Sequence, residues 1–184
     1  MQHDDDASLV KRSASGEVEA FETLVTRYQR VLFKVAMRML GDYADASDAT
    51  QAAFVKAYQN LDSFDPRFRF FSWMYRILLN ECLNARRSRR RHEDGEGQDD
   101  AAIEPAGNGT PLDALERTER RQRVQKALLA LPADYRQVVV LRHFAELSYD
   151  DIAATLAIPA TVVKSRLYTA RQRLASMLLG EMVP

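Results

Sequence analysis

Apolar side chains recur every three or four residues along most of the chain, a spacing that predicts amphipathic helices. The clearest stripe lies in VEAFETLVTRYQRVLFKVAMRML and consists of Phe21, Leu24, Val25, Tyr28, Leu32, Val35, Ala36 and Met39. Gly41 comes directly after this segment and is placed to end the helix. No segment combines sustained alternation with the Asn-Gly turn of a β-hairpin. The pattern therefore predicts an all-α fold.

The same periodicity predicts helices in the rest of the chain. In the first half these are DYADASDATQAAFVKAYQNL and FFSWMYRILLNECLNARRSRRR. In the second half they are ALERTERRQRVQKALLAL, which ends at Pro132, and ADYRQVVVLRHFA. The segment SYDDIAATLAIPATVVKSRLYTARQRL, residues 148–174, predicts two short helices joined by a tight turn at Ile158 and Pro159, the arrangement of a helix-turn-helix.

Charge is distributed unevenly, although 26 basic and 26 acidic side chains balance over the 184 residues. Residues 93–116 contain eight acidic residues and no lysine or arginine, and the segments on either side are basic. The acidic stretch also concentrates Gly and Pro and lacks apolar periodicity over most of its length, which is typical of a flexible linker. We therefore predict two small helical domains, residues 1–92 and 113–184, joined by a flexible acidic linker, residues 93–112.

Composition argues against several classes of protein. The first residues contain three aspartates and no apolar core, unlike a secretory signal, and no apolar run reaches the length of a membrane span. Cys82 is the single cysteine, and the histidines His3, His92 and His143 are scattered, so no zinc ligand set is indicated. Neither a catalytic triad nor a phosphate-binding glycine loop is suggested. We expect a cytoplasmic protein without membrane insertion, cofactor, metal or enzymatic activity.

The second helix of residues 148–174 has two unlike faces on a helical wheel. Its apolar side consists of Val163, Leu167, Ala170 and Leu174. Its polar side carries Thr161, Lys164, Ser165, Tyr168 and Gln172, with Arg171 close by and Arg166 and Arg173 at the edges. Hydroxyls, an amine and an aromatic edge suit the base edges and phosphates of a major groove. We predict that this face binds duplex DNA; the alternative is an amphipathic surface helix of an unrelated bundle.

The first domain carries a second nucleic-acid signal. In FDPRFRFF, residues 64–71, the aromatic side chains Phe64, Phe68, Phe70 and Phe71 alternate with Arg67 and Arg69. The helix that follows carries a stripe at spacings of three and four that consists of Trp73, Arg76, Asn80, Asn84, Arg87 and Arg91. Rings and guanidinium groups stack on unpaired bases, and amides read exposed base edges. These residues predict binding to single-stranded DNA, with membership of a helical core as the alternative for Phe71 and Trp73.

Taken in order, these motifs resemble bacterial sigma factors of the extracytoplasmic-function (ECF) group, which contain only the sigma-2 and sigma-4 domains. The resemblance rests on DASDATQ, on FFSWMYRI followed by Asn80, and on LPADYRQVVVLRHF leading into VKSRL, and it covers nearly the whole chain. It implies a protein that binds core RNA polymerase and promoter DNA and directs transcription initiation. It also implies an anti-sigma factor as a partner, and we expect a monomer when the chain is free.

The resemblance implies roles for three sets of residues. The set that docks on the clamp helices of the polymerase largest subunit is Asp45, Asp48, Gln51 and Phe54. The set that captures the melted minus-10 element is Phe64, Arg67, Phe68, Arg69, Trp73, Arg76, Asn80, Asn84 and Arg87. The set that enters the major groove of the minus-35 element is Thr161, Lys164, Ser165, Arg166, Tyr168 and Arg171.

The chain departs from the family pattern at two places. Ala52 stands where the family usually has an acidic residue, and Thr161 and Val162 stand where it commonly has Gly-Thr. Two other functions fit parts of the sequence. A stand-alone helix-turn-helix regulator explains the second domain and predicts a dimer on palindromic sites. It leaves residues 64–71, which we call the Phe/Arg loop, without a role. A helical adaptor that binds only protein explains neither basic region.

Overall fold

The computed structural model of the chain describes residues 5–92 and 111–180. Within these residues the elements are α1 (Asp6–Ala14), α2 (Val18–Leu40), α3 (Tyr43–Gln59), α4 (Phe70–His92), α5 (Pro111–Ala130), α6 (Ala133–His143), α7 (Tyr149–Leu156) and α8 (Ala160–Gly180). A single 3₁₀ turn at Leu61–Ser63 follows α3. No strand occurs in the described part of the chain, so the predicted all-α class is confirmed. The predicted linker lies outside the described residues except for its last two, which begin α5.

Helix α2 follows the predicted stripe closely. Leu24, Leu32 and Val35 are fully buried, and Tyr28 is partly buried against the same core. Gly41 ends the helix with φ of 80° and donates its N–H to the carbonyl of Met37. A left-handed residue with no Cβ penalty is the usual way to satisfy the last carbonyls of a helix.

Helix α1 was not predicted. It is only nine residues long, and the carboxylate of Asp5 caps it by accepting from the N–H of Ser8. The apolar residues it buries, Leu9 and Val10, are adjacent in sequence. Two neighbouring apolar positions form no stripe with a period of 3.6, and the polar cap was the only signal left.

Helices α1–α4 form one group, which we call the N-terminal helices. The inner face of α4 presents Phe70, Met74, Leu78 and Cys82 at intervals of four residues, and all four are at most 1% exposed. Because α4 packs against α3, this buried face fixes the exposed sides of the two helices relative to each other. The described helices include none that is long and apolar enough to cross a membrane.

Helices α5–α8 form the second group, the C-terminal helices. Val138 and Leu141 of α6 are fully buried, and so are Ile152 of α7 and Val163 of α8. Helix α6 packs against α7 and α8, and α5 packs against α8. This core holds α7 and α8 in the orientation of a helix-turn-helix, which leaves the polar side of α8 in solvent.

The two groups of helices also contact each other, which the sequence did not predict. Helix α2 packs against α5 and α6, and α4 packs against α7. The side chain of Arg136 in α6 is completely buried and donates one of its hydrogen bonds, 2.7 Å long, to the carbonyl of Met39 in α2. The described residues therefore share one continuous set of buried side chains.

Candidate nucleic-acid interfaces

The turn between α7 and α8 is built by capping residues. Ser148 precedes α7, and its hydroxyl accepts the N–H of Asp151 at 3.0 Å. Ala157 ends α7 in the left-handed region, with φ of 52°. Pro159 then starts the next helix, because its carbonyl accepts the N–H groups of Val162 and Val163. The cap at Ser148, the left-handed Ala157 and the helix start at Pro159 together fix the angle between α7 and α8.

Helix α8 divides into the two faces predicted from the sequence. The apolar side is buried, since Val163, Leu167 and Ala170 are at most 1% exposed. The polar side lies in solvent and includes Thr161, Lys164, Ser165, Tyr168, Arg171 and Gln172. The ring of Tyr168 is 66% exposed, which is unusual for a large aromatic residue that has a core beside it. This outward face is the first candidate interface.

Two arginines at the edges of α8 have partners within the fold. Arg166 donates to the carboxylate of Asp134 at 2.9 Å, and the guanidinium of Arg173 lies over the ring of Tyr135, 4.9 Å from its centre. Arg171 is exposed, and its positive charge is one reason why the pKa of His143 is lowered, after burial of the ring. Five residues of the predicted set are therefore exposed on this face, namely Thr161, Lys164, Ser165, Tyr168 and Arg171, and the hydroxyl of Ser165 donates to the carbonyl of Val162 at 3.0 Å.

A cavity of about 540 Å³ between α3 and α4 is the second candidate interface. We call it the α3–α4 cavity. Four residues of the predicted stripe line it, namely Trp73, Asn80, Asn84 and Arg87. The two asparagines and Arg87 are exposed, whereas the indole of Trp73 is partly buried against the core. The cavity thus has an aromatic wall, two amides and a cation, which suits an unstacked base and its phosphate.

The opposite wall of the cavity was missed by sequence reasoning. It is formed by the end of α3 and the 3₁₀ turn, which contribute Lys56, Asn60 and Ser63. Lys56 donates to the carboxylate of Glu81 at 2.6 Å and so links the two walls. Lys56 and Asn60 are spaced by four residues, which places them on one face of a helix. Only the packing of α3 on α4 shows that this face meets Asn80.

The Phe/Arg loop lies near the cavity, but its predicted residues do not line it. Phe64 packs against Phe70 and Trp73, with ring centres 5.8 and 5.6 Å apart, so it supports the aromatic wall from behind. Phe68 is 55% exposed, and Arg67 forms an ion pair with Asp65 at 2.6 Å. The hydrogen bonds from Arg67 hold the pKa of the Asp65 carboxyl below its usual range.

The remaining minus-10 residues of the predicted set lie outside the cavity wall. Arg69 is exposed, and its guanidinium lies 3.7 Å from the carboxylate of Asp151 in α7 and 5.5 Å from the ring centre of Phe71. Arg76 is exposed on α4, away from the cavity lining. Four residues of the stripe thus line the α3–α4 cavity, whereas Arg69 and Phe71 of the loop line a separate cavity of about 250 Å³ beside α7.

The residues predicted to bind polymerase are distributed over two environments. Asp48 and Gln51 are exposed on α3 and share one edge of it. Asp45 lies 3.3 Å from Arg89 of α4, in a half-buried ion pair. Phe54 is only 9% exposed and packs edge-on against Phe21 at 6.4 Å. Asp48 and Gln51 are thus presented outward, while Phe54 holds α3 to the core.

Two titratable groups, Tyr75 and Cys82, are buried in the core of the N-terminal helices. Burial raises the pKa of Tyr75 to about 12 and that of the Cys82 thiol to about 12, so both groups are neutral in the folded chain. Within residues 5–92 and 111–180, no three His, Cys, Asp or Glu side chains converge to hold a metal ion. What the described surfaces offer is cations, amides, hydroxyls and aromatic rings, the groups that bind nucleic acid.

Two family models match separate parts of the chain. Residues 24–92 match sigma-70 region 2, and residues 121–174 match sigma-70 region 4. The chain is 34% identical to the ECF RNA polymerase sigma factor SigW of Bacillus subtilis, over 92% of this chain and 94% of SigW.

Two solved structures are similar over most of the chain. CnrH, in complex with the cytosolic domain of CnrY, is 29% identical with a TM-score of 0.74, covering 96% of this chain and 99% of CnrH. The sigma factor RpoE of Bartonella quintana, in complex with the anti-sigma factor NepR, is 30% identical with a TM-score of 0.71, covering 86% and 96%. The chain therefore belongs to the sigma-70 family, in the ECF group of RNA polymerase sigma factors.

Proposed function

We propose that this sigma factor binds core RNA polymerase, reads the minus-35 element as a duplex through α8, and holds the minus-10 element as a melted strand in the α3–α4 cavity. The observation that carries the proposal is the presence of two unlike nucleic-acid surfaces on one chain. A protein that needs only to find a duplex has no use for a cavity that fits an unstacked base. A protein that opens DNA at a defined position needs both.

The α8 surface fits a major groove in shape and chemistry. Lys164 and Ser165 are exposed near the start of the helix, and Tyr168 follows one turn later. The first turns of a recognition helix are the part that reaches base edges. Arg171, further along the helix, is positioned for a phosphate, and contacts of that kind fix register without reading sequence.

The α3–α4 cavity fits a base that has left the stack. Trp73 supplies a ring for stacking, Asn80 and Asn84 supply amide groups, and Arg87 supplies a charge for the backbone. Unstacking a base costs on the order of a few kcal/mol, and stacking on an aromatic side chain returns about 1–3 kcal/mol per base. The amides and the phosphate contact are then what make capture favourable.

The exposed edge of α3 at Asp48 and Gln51 is the proposed polymerase-binding surface, with Ala52 beside it as the point where this chain departs from its family. The structures of CnrH and of RpoE contain a bound partner, the cytosolic domain of CnrY and the anti-sigma factor NepR respectively. We extend this to the present chain and propose an anti-sigma factor as its regulator. DNA chemistry itself is left to the polymerase.

The test is run-off transcription from a genomic fragment library, with bacterial core polymerase and with or without this protein. We expect initiation at discrete sites that share two spaced elements. Absence of initiation with a competent core, combined with dimeric binding to palindromic duplexes, would instead identify a stand-alone helix-turn-helix regulator.

Variants then separate the two surfaces. The double change of Asn80 and Asn84 to Ala should impair open-complex formation, monitored by permanganate reactivity, more than it impairs duplex binding. Ser165→Ala and Lys164→Ala should weaken duplex binding first. Gln59→Ala, which removes an exposed amide outside the cavity lining, is the control and should leave both unchanged. Equal losses of both activities in the asparagine variant would contradict the division of labour.

A further inference from the structure

One wall of the α3–α4 cavity contains a carboxylate. Glu81 of α4 lines the cavity, and its side chain is only 13% exposed. It is the single acidic residue among the described residues of the lining. The other charged, amide or hydroxyl side chains there belong to Lys56, Asn60, Ser63, Asn80, Asn84 and Arg87. Because phosphates repel a carboxylate, a site that held only a sugar-phosphate backbone would have no use for this group.

The charge of Glu81 is balanced within the cavity. Nζ of Lys56 in α3 donates to Oε1 of Glu81 at 2.6 Å. This ammonium occupies one of the roughly four acceptor positions of the carboxylate. Glu81 therefore stays able to accept hydrogen bonds from a ligand, while Lys56 offsets its repulsion of the strand.

Glu81 lies next to an amide that the proposed function assigns to the captured base. Ile77, Glu81 and Asn84 are spaced by four and three residues and line the same cavity, so they share one face of α4. Side chains at such spacings are about 5–6 Å apart at their Cβ atoms. A base held by the amide of Asn84 therefore has one edge beside the carboxylate of Glu81.

The amides and the carboxylate differ in what they can distinguish. A side-chain amide carries both a donor and an acceptor, so Asn80 and Asn84 can turn toward either an amino group or a carbonyl. An ionised carboxylate only accepts. The cavity can thus tell an amino group from a carbonyl through Glu81 but not through the asparagines.

Thymine is the DNA base that lacks an exocyclic amino group. Adenine has this group at N6, cytosine at N4 and guanine at N2. The ring N–H that thymine offers lies between two carbonyl oxygens, which repel a carboxylate. An amino group that donates to Glu81 therefore stabilises the captured base, whereas thymine provides no such donor to this covered carboxylate.

We propose that Glu81 is a specificity-determining residue of the α3–α4 cavity. Its carboxylate accepts the exocyclic amino group of the captured base, Lys56 balances its charge, and the cavity selects against thymine. The inference rests on the proposed function, because it names the bases that the cavity of that proposal takes.

The test compares bases that differ at the amino group. The full chain is combined with core RNA polymerase, and the templates are premelted over the minus-10 element of a promoter found by run-off transcription. Each position of the non-template strand carries, in turn, thymine or 5-methylcytosine. These two bases share a methyl group and the 2-carbonyl but have a carbonyl or an amino group at position 4. Adenine and purine, which is adenine without its amino group, form the second pair.

Dissociation constants are measured by fluorescence anisotropy of the labelled templates. At the position that the cavity takes, the template whose base carries the amino group is expected to bind about tenfold more tightly. A tenfold difference corresponds to about 1.4 kcal/mol, which lies at the low end of the discrimination expected from a base-edge contact.

Glu81→Gln keeps the length of the side chain but replaces one acceptor oxygen by a donor. Because its amide can turn toward either group, the preference at that position should fall to about twofold or less. Asp62→Asn is the matched control, since it changes an acid to its amide at an exposed position of the 3₁₀ turn, outside the cavity lining. It should keep the tenfold preference. The control thus separates a general effect of removing a negative charge from the loss of one acceptor.

Lys56→Met removes the partner of Glu81 and keeps the carboxylate. Both templates of a pair should then bind more weakly, and the preference should remain. Equal affinities within both pairs at every position of the unchanged chain would overturn the proposal, and so would a preference that Glu81→Gln leaves intact. Loss of the preference in Lys56→Met alone would assign the reading to the ammonium and overturn the role of Glu81. Far-UV circular dichroism should show equal helix content for all variants.

Failure of the proposed function gives a different result. If premelted templates bind no more tightly than fully paired ones, capture of a melted strand is wrong, and the inference fails with it. If premelted templates bind more tightly but the bases of each pair are equivalent, the proposed function stands and Glu81 serves only to hold Lys56.

Discussion

Removal of the buried guanidinium of Arg136 should lower the free energy of unfolding more than removal of another arginine from the same helix. Its side chain is fully buried and donates to the carbonyls of four residues. The bonds to Leu128, Leu131 and Met39 are 2.8, 2.9 and 2.7 Å long, and Leu129 accepts the fourth. Three of these carbonyls lie at the C-terminal end of α5 or just after it, so one side chain ends two helices.

The size of the effect follows from the number of carbonyls that lose a donor. A buried polar group left without a partner costs about 1–3 kcal/mol. Arg136→Met also removes the cost of burying a charge, so we take the lower value for each of the four carbonyls and expect a loss of about 4 kcal/mol. For a chain of this length each kcal/mol lowers Tm by about 2–4 °C, which gives a fall of about 8–16 °C.

The assay is thermal unfolding followed by far-UV circular dichroism. Arg142→Met on the same helix is the matched control, because Arg142 donates one hydrogen bond of 2.8 Å to the carbonyl of Leu147 and lies over the ring of Tyr149. It should lower Tm by only about 2–4 °C. Equal melting temperatures for the two variants would refute the reasoning, since they would show that water replaces the guanidinium at little cost.

Three further predictions concern reactivity, pH and binding. Because burial raises the pKa of the Cys82 thiol to about 12, iodoacetamide at about pH 8 should label it only in denaturant, and rapid labelling of the folded chain would contradict that burial. Burial, with Arg171 nearby, lowers the pKa of His143 below its ordinary value of 6.5, so its ring should titrate below that value by NMR. Because the folded chain holds this ring neutral, His143 contributes to the free energy of unfolding above pH 6.5, and the contribution is lost as the pH falls through the folded-state pKa. His143→Gln removes the titrating group, so Tm should fall less steeply on acidification. Arg166→Ala breaks an exposed ion pair with Asp134 and should cost less than about 1 kcal/mol, so a loss of minus-35 binding without a large fall in Tm would assign Arg166 to DNA.

Sequence periodicity alone was enough to predict the helices that have long apolar stripes. The bounds of α2 and its end at Gly41 follow from periodicity and one glycine, and the two faces of α8 follow from a helical wheel. The cavity was half predicted. The stripe on α4 gave Asn80 and Asn84, but the wall at Lys56 belongs to a different helix, and periodicity within one helix carries no information about its neighbour.

Arg136 shows the limit of sequence reasoning most clearly. An arginine in a helix is ordinarily assigned to the surface, because a charge is almost never fully buried without partners. Here the partners are backbone carbonyls, one of them 97 residues away. Backbone groups leave no trace in the side-chain pattern, so nothing in the sequence distinguishes this arginine from an exposed one.

The contact between the two groups of helices was missed for a related reason. An acidic, glycine-rich segment indicates a linker, and a linker suggests independent domains. Composition gives no information on whether those domains contact each other. Three hydrogen bonds between α2 and the C-terminal helices join residues 87, 88 and 97 positions apart, and they are made by an amide, guanidinium groups and helix-end carbonyls. Such polar contacts leave no apolar stripe in the sequence, so nothing in the pattern of either half shows that the buried side chains of the two groups of helices are continuous.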